Sequence, residues 1–173
     1  MTVQLVACVV VVCGCAYLGV LFSDSFRKRV RQLEEFCLVV KQLEYDIDFL
    51  NTPLGESLIR LSGMCEGGVR DVLKYVGNNL SGAGCVEMLG LWKKAFDRFE
   101  KELALTEDDK RIIFDFTKNL GCGDRTREKN NIKVAEMRLN AAREDAAVFA
   151  ATNVKMYRGL GILAGIFIVI VLL

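Results

Sequence analysis

The sequence predicts an all-α protein: an antiparallel helical bundle flanked by an N-terminal and a C-terminal transmembrane helix. Two observations carry that prediction. The 23 Lys and Arg and 22 Asp and Glu of this 173-residue chain all lie between Asp24 and Arg158, which leaves both ends apolar. Between those ends, apolar residues recur at intervals of three and four, and no segment sustains the two-residue alternation of a half-buried strand.

The apolar ends set the domain boundaries. Val3 to Phe22 is a run whose one strongly polar member is Gln4, and about 20 apolar residues match the ~30 Å hydrocarbon core of a bilayer. Gly159 to Leu173 is shorter, covering about 22 Å of helix rise. Such a run spans where the bilayer thins and Lys155 and Arg158 snorkel. Residues 1–23 and 159–173 therefore read as transmembrane helices and residues 24–158 as the central bundle. Lys155, Tyr157 and Arg158 mark the membrane border of the second span.

Two other readings of the N-terminus fail. A cleaved secretory signal needs a basic n-region and an apolar core of about 7–15 residues, and Met1-Thr2-Val3-Gln4 carries no charge. A lipoprotein would use Val12-Cys13-Gly14-Cys15, yet Ala16 to Phe22 stays apolar where a tethered chain turns polar. Arg27, Lys28, Arg29 and Arg31 follow the first run, and Lys155 and Arg158 precede the second. The positive-inside rule then places residues 24–158 in the cytoplasm.

Inside the bundle, Phe26, Leu33, Val40 and Ile47 form one row, with Phe36, Leu43 and Leu50 three residues on. Two such rows make one coiled-coil-like face. Thr52 reads as N-cap and Pro53 as first helical position of a second helix, with Leu54, Leu58 and Leu61 on its apolar side. Gly67-Gly68 reads as the break that ends it. Val69, Val72, Leu73, Val76 and Leu80 outline the next helix, closed by Ser81-Gly82-Ala83-Gly84. Leu89, Trp92, Phe96, Phe99 and Leu103 keep helical spacing over four turns. Thr106 to Asp109 begins another helix with acids where the macrodipole favours them. Its buried side is Ile112, Ile113, Phe116 and Leu120, and Gly121 suits its C-terminal cap. Asp124 caps a last helix that runs unbroken into the membrane. Its seam has Ile132, Leu139, Ala146 and Asn153 in one row and Ala135, Ala142, Phe149 and Met156 in the other.

Chemistry is sparse. Histidine is absent, which removes the commonest general base and metal ligand. None of the seven cysteines forms a C-x-x-C pair, so zinc ribbons and thioredoxin-like motifs are excluded and the cysteines read as reduced, small apolar side chains. A net charge of +1 argues against nucleic-acid binding. No Walker A, G-x-G-x-x-G or nucleophile elbow occurs. Glu107, Asp108 and Asp109 read as cap and dipole partners, not as a metal site. Asp46 and Asp48, two residues apart, point away from each other on a helix. Trp92 reads as core. No catalytic, cofactor-binding or metal residue is expected, and the protein is not expected to be an enzyme. Gly161 and Gly165 form a G-x-x-x-G in the second span, a candidate for helix association; a homo-oligomer is a further candidate assembly.

Three segments then carry a family pattern: Asn51-Thr52-Pro53-Leu54; Phe116 through Leu120, Gly121, Cys122, Gly123 and Asp124; and Lys155-Met156-Tyr157-Arg158-Gly159-Leu160-Gly161 before the terminal apolar run. In this order, between two apolar ends, the chain closely resembles stage III sporulation protein AB over essentially its whole length. The family usually has glutamine shortly after the loop aspartate, where this chain has Glu128 and Lys129. The resemblance implies a cytoplasmic helical domain similar to those of type II secretion and type IV pilus platform proteins. It implies a place in the mother-cell half of a transenvelope complex, beside a secretion-type ATPase and other membrane proteins of the same operon. Within that pattern, Thr52, Pro53, Leu54, Leu120, Gly121 and Asp124 are expected to fix turns and caps. A general secretion or pilus platform protein and a membrane-anchored regulatory protein are the alternatives; one central domain and two spans favour the sporulation reading.

Overall fold

Heptad-spaced apolar residues build two long helices, α1 (Thr2–Tyr45) and α6 (Arg125–Leu172). Four shorter helices lie between them in sequence: α2 (Leu54–Ser62), α3 (Gly67–Asn79), α4 (Cys85–Arg98) and α5 (Glu107–Thr117). A 3-10 turn, Glu100–Glu102, follows α4. This computed structural model describes residues 2–47, 52–80, 85–118, 120 and 125–172. The side chains of residues 2–13, 15–23, 85–86, 125–126, 154–155, 157–158, 160–162 and 164–172 are outside that description. Among the described residues there is no strand, as the all-α prediction requires.

The chain divides into two units, one made of Met1–Val30 with Asp145–Leu173 and the other of Arg31–Glu144. In the first, the rings of Phe26 and Phe149 meet edge to face at 5.4 Å, and Ala146 and Ala150 are buried. Thr152 and Asn153 hydrogen-bond back to the carbonyls of Val148 and Phe149. The heptad seam expected along α6 is buried at Ile132, Ala135, Leu139 and Ala146, with Ala142 half-buried, and then shifts. Phe149 and Met156 are 49% and 47% exposed, and Ala150 takes the buried place. An α-helix of 3.6 residues per turn drifts about 20° per heptad from a 3.5 repeat, so a seam read in sevens rotates out of register. Among the described residues no helix is long and apolar enough to cross a membrane. The two spans read from the sequence rest on side chains that, apart from Gly14, Gly159 and Leu163, lie outside the described residues.

The second unit holds the main core. Leu33, Phe36 and Leu43 of α1 and Leu58 and Leu61 of α2 are buried. So are Val69, Val72, Leu73 and Val76 of α3, Trp92 and Phe96 of α4, and Ile113 and Phe116 of α5. Leu120, Ile132 and Leu139 complete it. These are largely the positions the apolar spacing picked out.

Several boundaries differ from the sequence reading. Pro53 is the N-cap of α2, not its first residue: its ψ is 133°, and its carbonyl accepts from the Ser57 N–H at 3.1 Å. Thr52 stands one position outside. The break after α2 comes at Gly63, before Gly67-Gly68. The carbonyls of Arg60, Leu61 and Ser62 are each taken by the amide three residues on, a tightening that closes the helix without glycine freedom at its end. Gly67-Gly68 instead opens α3, Gly67 with φ +52°, a conformation that disfavours any Cβ. α4 ends at Arg98, so Phe99 and Leu103 flank the 3-10 turn rather than extending the helix. α5 begins with a full capping box: Thr106 Oγ1 accepts from the Asp109 N–H, and the Asp109 carboxylate accepts from the Thr106 N–H at 2.9 Å. Its C-cap is Lys118. Leu50, Asn51, Ser81–Gly84, Gly121, Cys122 and Asp124 lie outside the described residues.

Candidate functional site

The α2–α3 hairpin closes by direct backbone approach. A Cβ on Gly77 would lie 2.9 Å from the Gly55 carbonyl oxygen, and one on Gly55 would lie 3.1 Å from the Gly77 carbonyl oxygen. The absence of a side chain at these two glycines is what lets the helices cross so closely.

Two carboxylates on this side are drawn out of water, each beside an arginine. Asp46, just past the end of α1, is 1% exposed and is clasped through both carboxylate oxygens by the Arg60 guanidinium of α2. Glu35 of α1 pairs with Arg31 at 3.5 Å and accepts from the Glu66 backbone amide. Its Oε2 is buried without a hydrogen bond among the described residues. Burial is the largest influence on this carboxyl and holds its pKa above the ordinary 4.5. Beside it, desolvation and then the Glu35 charge push the Cys65 thiol up to about 12. A thiol so held stays protonated at neutral pH and is a poor nucleophile. Burial likewise raises the Cys37 thiol.

Gln32 joins α1 to the segment after the 3-10 turn. Its Nε2 donates to the Glu102 carbonyl at 2.8 Å, and its Oε1 accepts from the Ala104 N–H at 2.7 Å. One buried amide thus answers two main-chain groups some 70 residues away in sequence. Asn131 does similar work for the end of α5, donating to the Phe116 carbonyl at 2.7 Å.

The same unit also has an open surface at α4 and α5. α4 and α5 flank a cleft of about 320 Å³. Leu89 and Lys93 sit four apart on α4, and Lys110, Phe114 and the C-cap Lys118 sit four apart along α5, so each helix turns side chains at i, i+4 spacing into the cleft. The Phe114 ring meets Phe96 edge to face at 5.1 Å, which anchors the cleft to the core. Arg111, Glu107 and Asp115 complete its rim. Lys110 bonds Glu107 at 2.7 Å and lies 3.7 Å from Glu100. The Glu107 hydrogen bond is the main influence raising its pKa, so it is charged at neutral pH. Lys118 bonds Asp115 at 2.7 Å, and Arg138 approaches the same carboxylate at 3.8 Å. Lys93 is exposed and has no carboxylate within ion-pair distance among the described residues.

The structure scatters the residues singled out from the sequence. Thr52, Pro53 and Leu54 stand at the mouth of α2, with Pro53 exposed; Leu120 is fully buried after α5. Gly121 and Asp124 are outside the described residues. Lys155, Tyr157, Arg158, Gly161 and Gly165 lie on α6, with their side-chain positions outside the description. Glu107 and Asp108 are exposed at the start of α5, and Asp109 is buried in its cap. Among the described residues no group of three His, Cys, Asp or Glu side chains is placed to hold a metal ion. The cleft was missed by the sequence reading. Its two rows of i, i+4 apolar and basic residues were the available signal, but which helices face each other is not written in either row.

Comparison with known proteins agrees with this fold. The chain is 24% identical over 170 residues to stage III sporulation protein AB of Bacillus subtilis (strain 168), covering 98% of this chain and 99% of that one. The solved structure of a stage III sporulation protein AB, SpoIIIAB, superposes with a TM-score of 0.63 at 21% identity, over 70% of this chain and 95% of its own. The family model for stage III sporulation protein AB matches residues 4–173, from the first apolar run to the last residue, and the chain therefore belongs to that family.

Proposed function

We propose that this sporulation protein is a non-enzymatic platform component of the transenvelope complex between mother cell and forespore. In this reading residues 1–23 and 159–173 span the mother-cell membrane around the forespore, and residues 24–158 face the cytoplasm. The helical unit Arg31–Glu144 supplies the surface on which a secretion-type ATPase docks, and the other membrane proteins of the complex assemble around the spans. The observation that carries the proposal is the family match across both apolar ends and the bundle between them. Support comes from the distribution of charge: all Lys, Arg, Asp and Glu residues fall between two apolar runs, with Arg27, Lys28, Arg29 and Arg31 just inside the first. The buried, protonated Cys65 and the absence of histidine fit a binding role better than a bond-making one.

The test is a clean deletion in the source organism, followed by microscopy of sporulating cells and a count of heat-resistant spores. Arrest after engulfment with few resistant spores is the expected outcome; normal spores overturn the proposal. A reporter fused near residue 80 checks the topology, and its appearance outside the cytoplasm rejects it.

A further inference from the structure

We infer that the second membrane crossing begins near Asn153 rather than at Gly159, so that Lys155 and Arg158 lie within the cytoplasmic leaflet and hold the phosphate groups of anionic lipid. This rests on the reading above that both apolar ends span. Its basis is the register of the two long helices inside the unit formed by Met1–Val30 and Asp145–Leu173. That unit joins the N-terminal part of α1 to the C-terminal part of α6, so the helices run antiparallel within it. The Phe26 and Phe149 rings meet at 5.4 Å and fix the level, and the buried Ala146 and Ala150 bracket that contact on α6. Each residue adds about 1.5 Å along either helix. Counting outward from the ring pair, Val3–Phe22 lies level with Asn153–Leu172, Val20 with Lys155 and Tyr17 with Arg158. Each Cα–Cβ bond leans toward its own helix N-terminus, which in an antiparallel pair sets the α6 backbone deeper still.

Phe22 closes the apolar run of α1. Lys155 and Arg158 therefore sit about 3 Å and about 7 Å inside the level of that edge. A lysine or arginine at such a depth keeps its charge by extending toward the headgroups, where lipid phosphate is the available anion. Three residues apart on one helix, the two share a face. The register also gives α6 about 20 residues at the depth of the bilayer core. Charge and exposure in the same unit agree with it. The unit carries five cationic side chains, Arg27, Lys28, Arg29, Lys155 and Arg158, against the carboxylates of Asp24 and Asp145, although the whole chain has a net charge of +1. A basic cluster at the cytoplasmic edge of a span attracts anionic lipid. Val148 and Phe149 are 68% and 49% exposed. They stand about 6–8 Å above the level of Phe22, within the thickness of a headgroup layer, where an outward apolar side chain meets lipid instead of bulk water.

Fluorescence quenching of the full chain in vesicles of phosphatidylglycerol and phosphatidylcholine reads the depth. On a Trp92→Phe background, Met156→Trp and Val20→Trp are each exposed to lipids brominated on the acyl chain and to lipids spin-labelled at the headgroup. Both variants are expected to respond about twofold or more strongly to the acyl bromines. If Val20→Trp does so but Met156→Trp answers to the headgroup label, the register falls and the spanning reading stands. If Val20→Trp does not answer to the acyl bromines, the spanning reading itself falls. Lipid choice is then measured with spin-labelled phosphatidylglycerol against spin-labelled phosphatidylcholine. The native chain is expected to prefer the anionic lipid about twofold or more, and the double variant Lys155→Gln, Arg158→Gln to lose most of that preference. The exchange Lys155→Arg, Arg158→Lys should keep it, as should Lys133→Gln in the other unit. Circular dichroism confirms that each variant is folded. Equal lipid preference in the native chain and the double glutamine variant overturns the lipid site. Loss of the native preference in millimolar inorganic phosphate, at constant ionic strength, would mark a site for free phosphate and overturn it as well.

Discussion

The α2–α3 hairpin and the α4–α5 pair belong to one unit and use similar amphipathic helices, yet they present opposite surfaces. At the hairpin, Gly55 and Gly77 bring two backbones into contact, and the charges nearby are drawn inward: Asp46 under Arg60, Glu35 beside Cys65. At α4 and α5 the side chains are large. Trp92 and Phe96 are buried in the core, Phe96 against the Phe114 ring, and lysines line the cleft. The difference teaches that helix amphipathicity decides which side is core, while the size of residues at the crossing decides whether anything else fits between two helices.

Removing the largest buried side chain of α4 should have the largest effect. Trp92→Ala is expected to cost about 3–5 kcal/mol in a denaturant titration, because a nearly fully buried indole leaves a cavity the helices cannot close. Trp92→Phe should cost much less, since Nε1 has no hydrogen-bond partner to lose among the described residues. On the hairpin side the damaging change is an addition. Gly77→Ala forces a methyl to 2.9 Å from the Gly55 carbonyl and 2.7 Å from the Ile59 side chain, and should cost about 1–3 kcal/mol by overpacking.

The same substitution on the open side should change sign. Gly90 lies inside α4, exposed, with nothing within 4 Å of an added Cβ. Gly90→Ala is therefore expected to stabilise by roughly 0.5–1 kcal/mol through helix propensity alone. Equal losses at Gly77 and Gly90, read from thermal melts, would erase the distinction between the two sides.

The smallest expected effect depends on pH. Burial holds the Glu35 carboxyl above its ordinary 4.5, so folding favours the protonated form. The penalty is absent below that ordinary value, grows as pH rises, and is complete above the raised native value. Glu35→Gln should consequently melt higher than the native chain at neutral pH and match it below pH 4.5. A difference that persists in acid would trace to packing, not ionisation.

Much of the fold was legible because core positions obey local periodicity. Leu33, Phe36 and Leu43, and then Val69, Val72, Leu73 and Val76, are buried where helical spacing put them. The Thr106–Asp109 cap was equally readable, since its partners are three residues apart. Phe149 and Met156 were misplaced because a heptad rule was carried farther along α6 than a 3.6-residue helix follows it. Gly67-Gly68 reads as a stop in the sequence and is a start in the fold. A glycine pair marks a place where the chain can turn, and the neighbouring carbonyls decide on which side the turn falls.

By itself the sequence determined the helices, their buried stripes, the confinement of charge between two apolar ends, and the family. These follow from residue spacing, chain composition and motif order, which involve near neighbours in the chain. Tertiary structure alone decided that Gln32 would answer Glu102 and Ala104, that Asp46 would meet Arg60, and that Gly55 would face Gly77. It also turned two unremarkable rows, Leu89 with Lys93 and Lys110 with Phe114 and Lys118, into one cleft. Each of these pairs residues from different helices, and helix pairing is settled by how side-chain volumes fit at the crossings, a quantity that no single stripe contains.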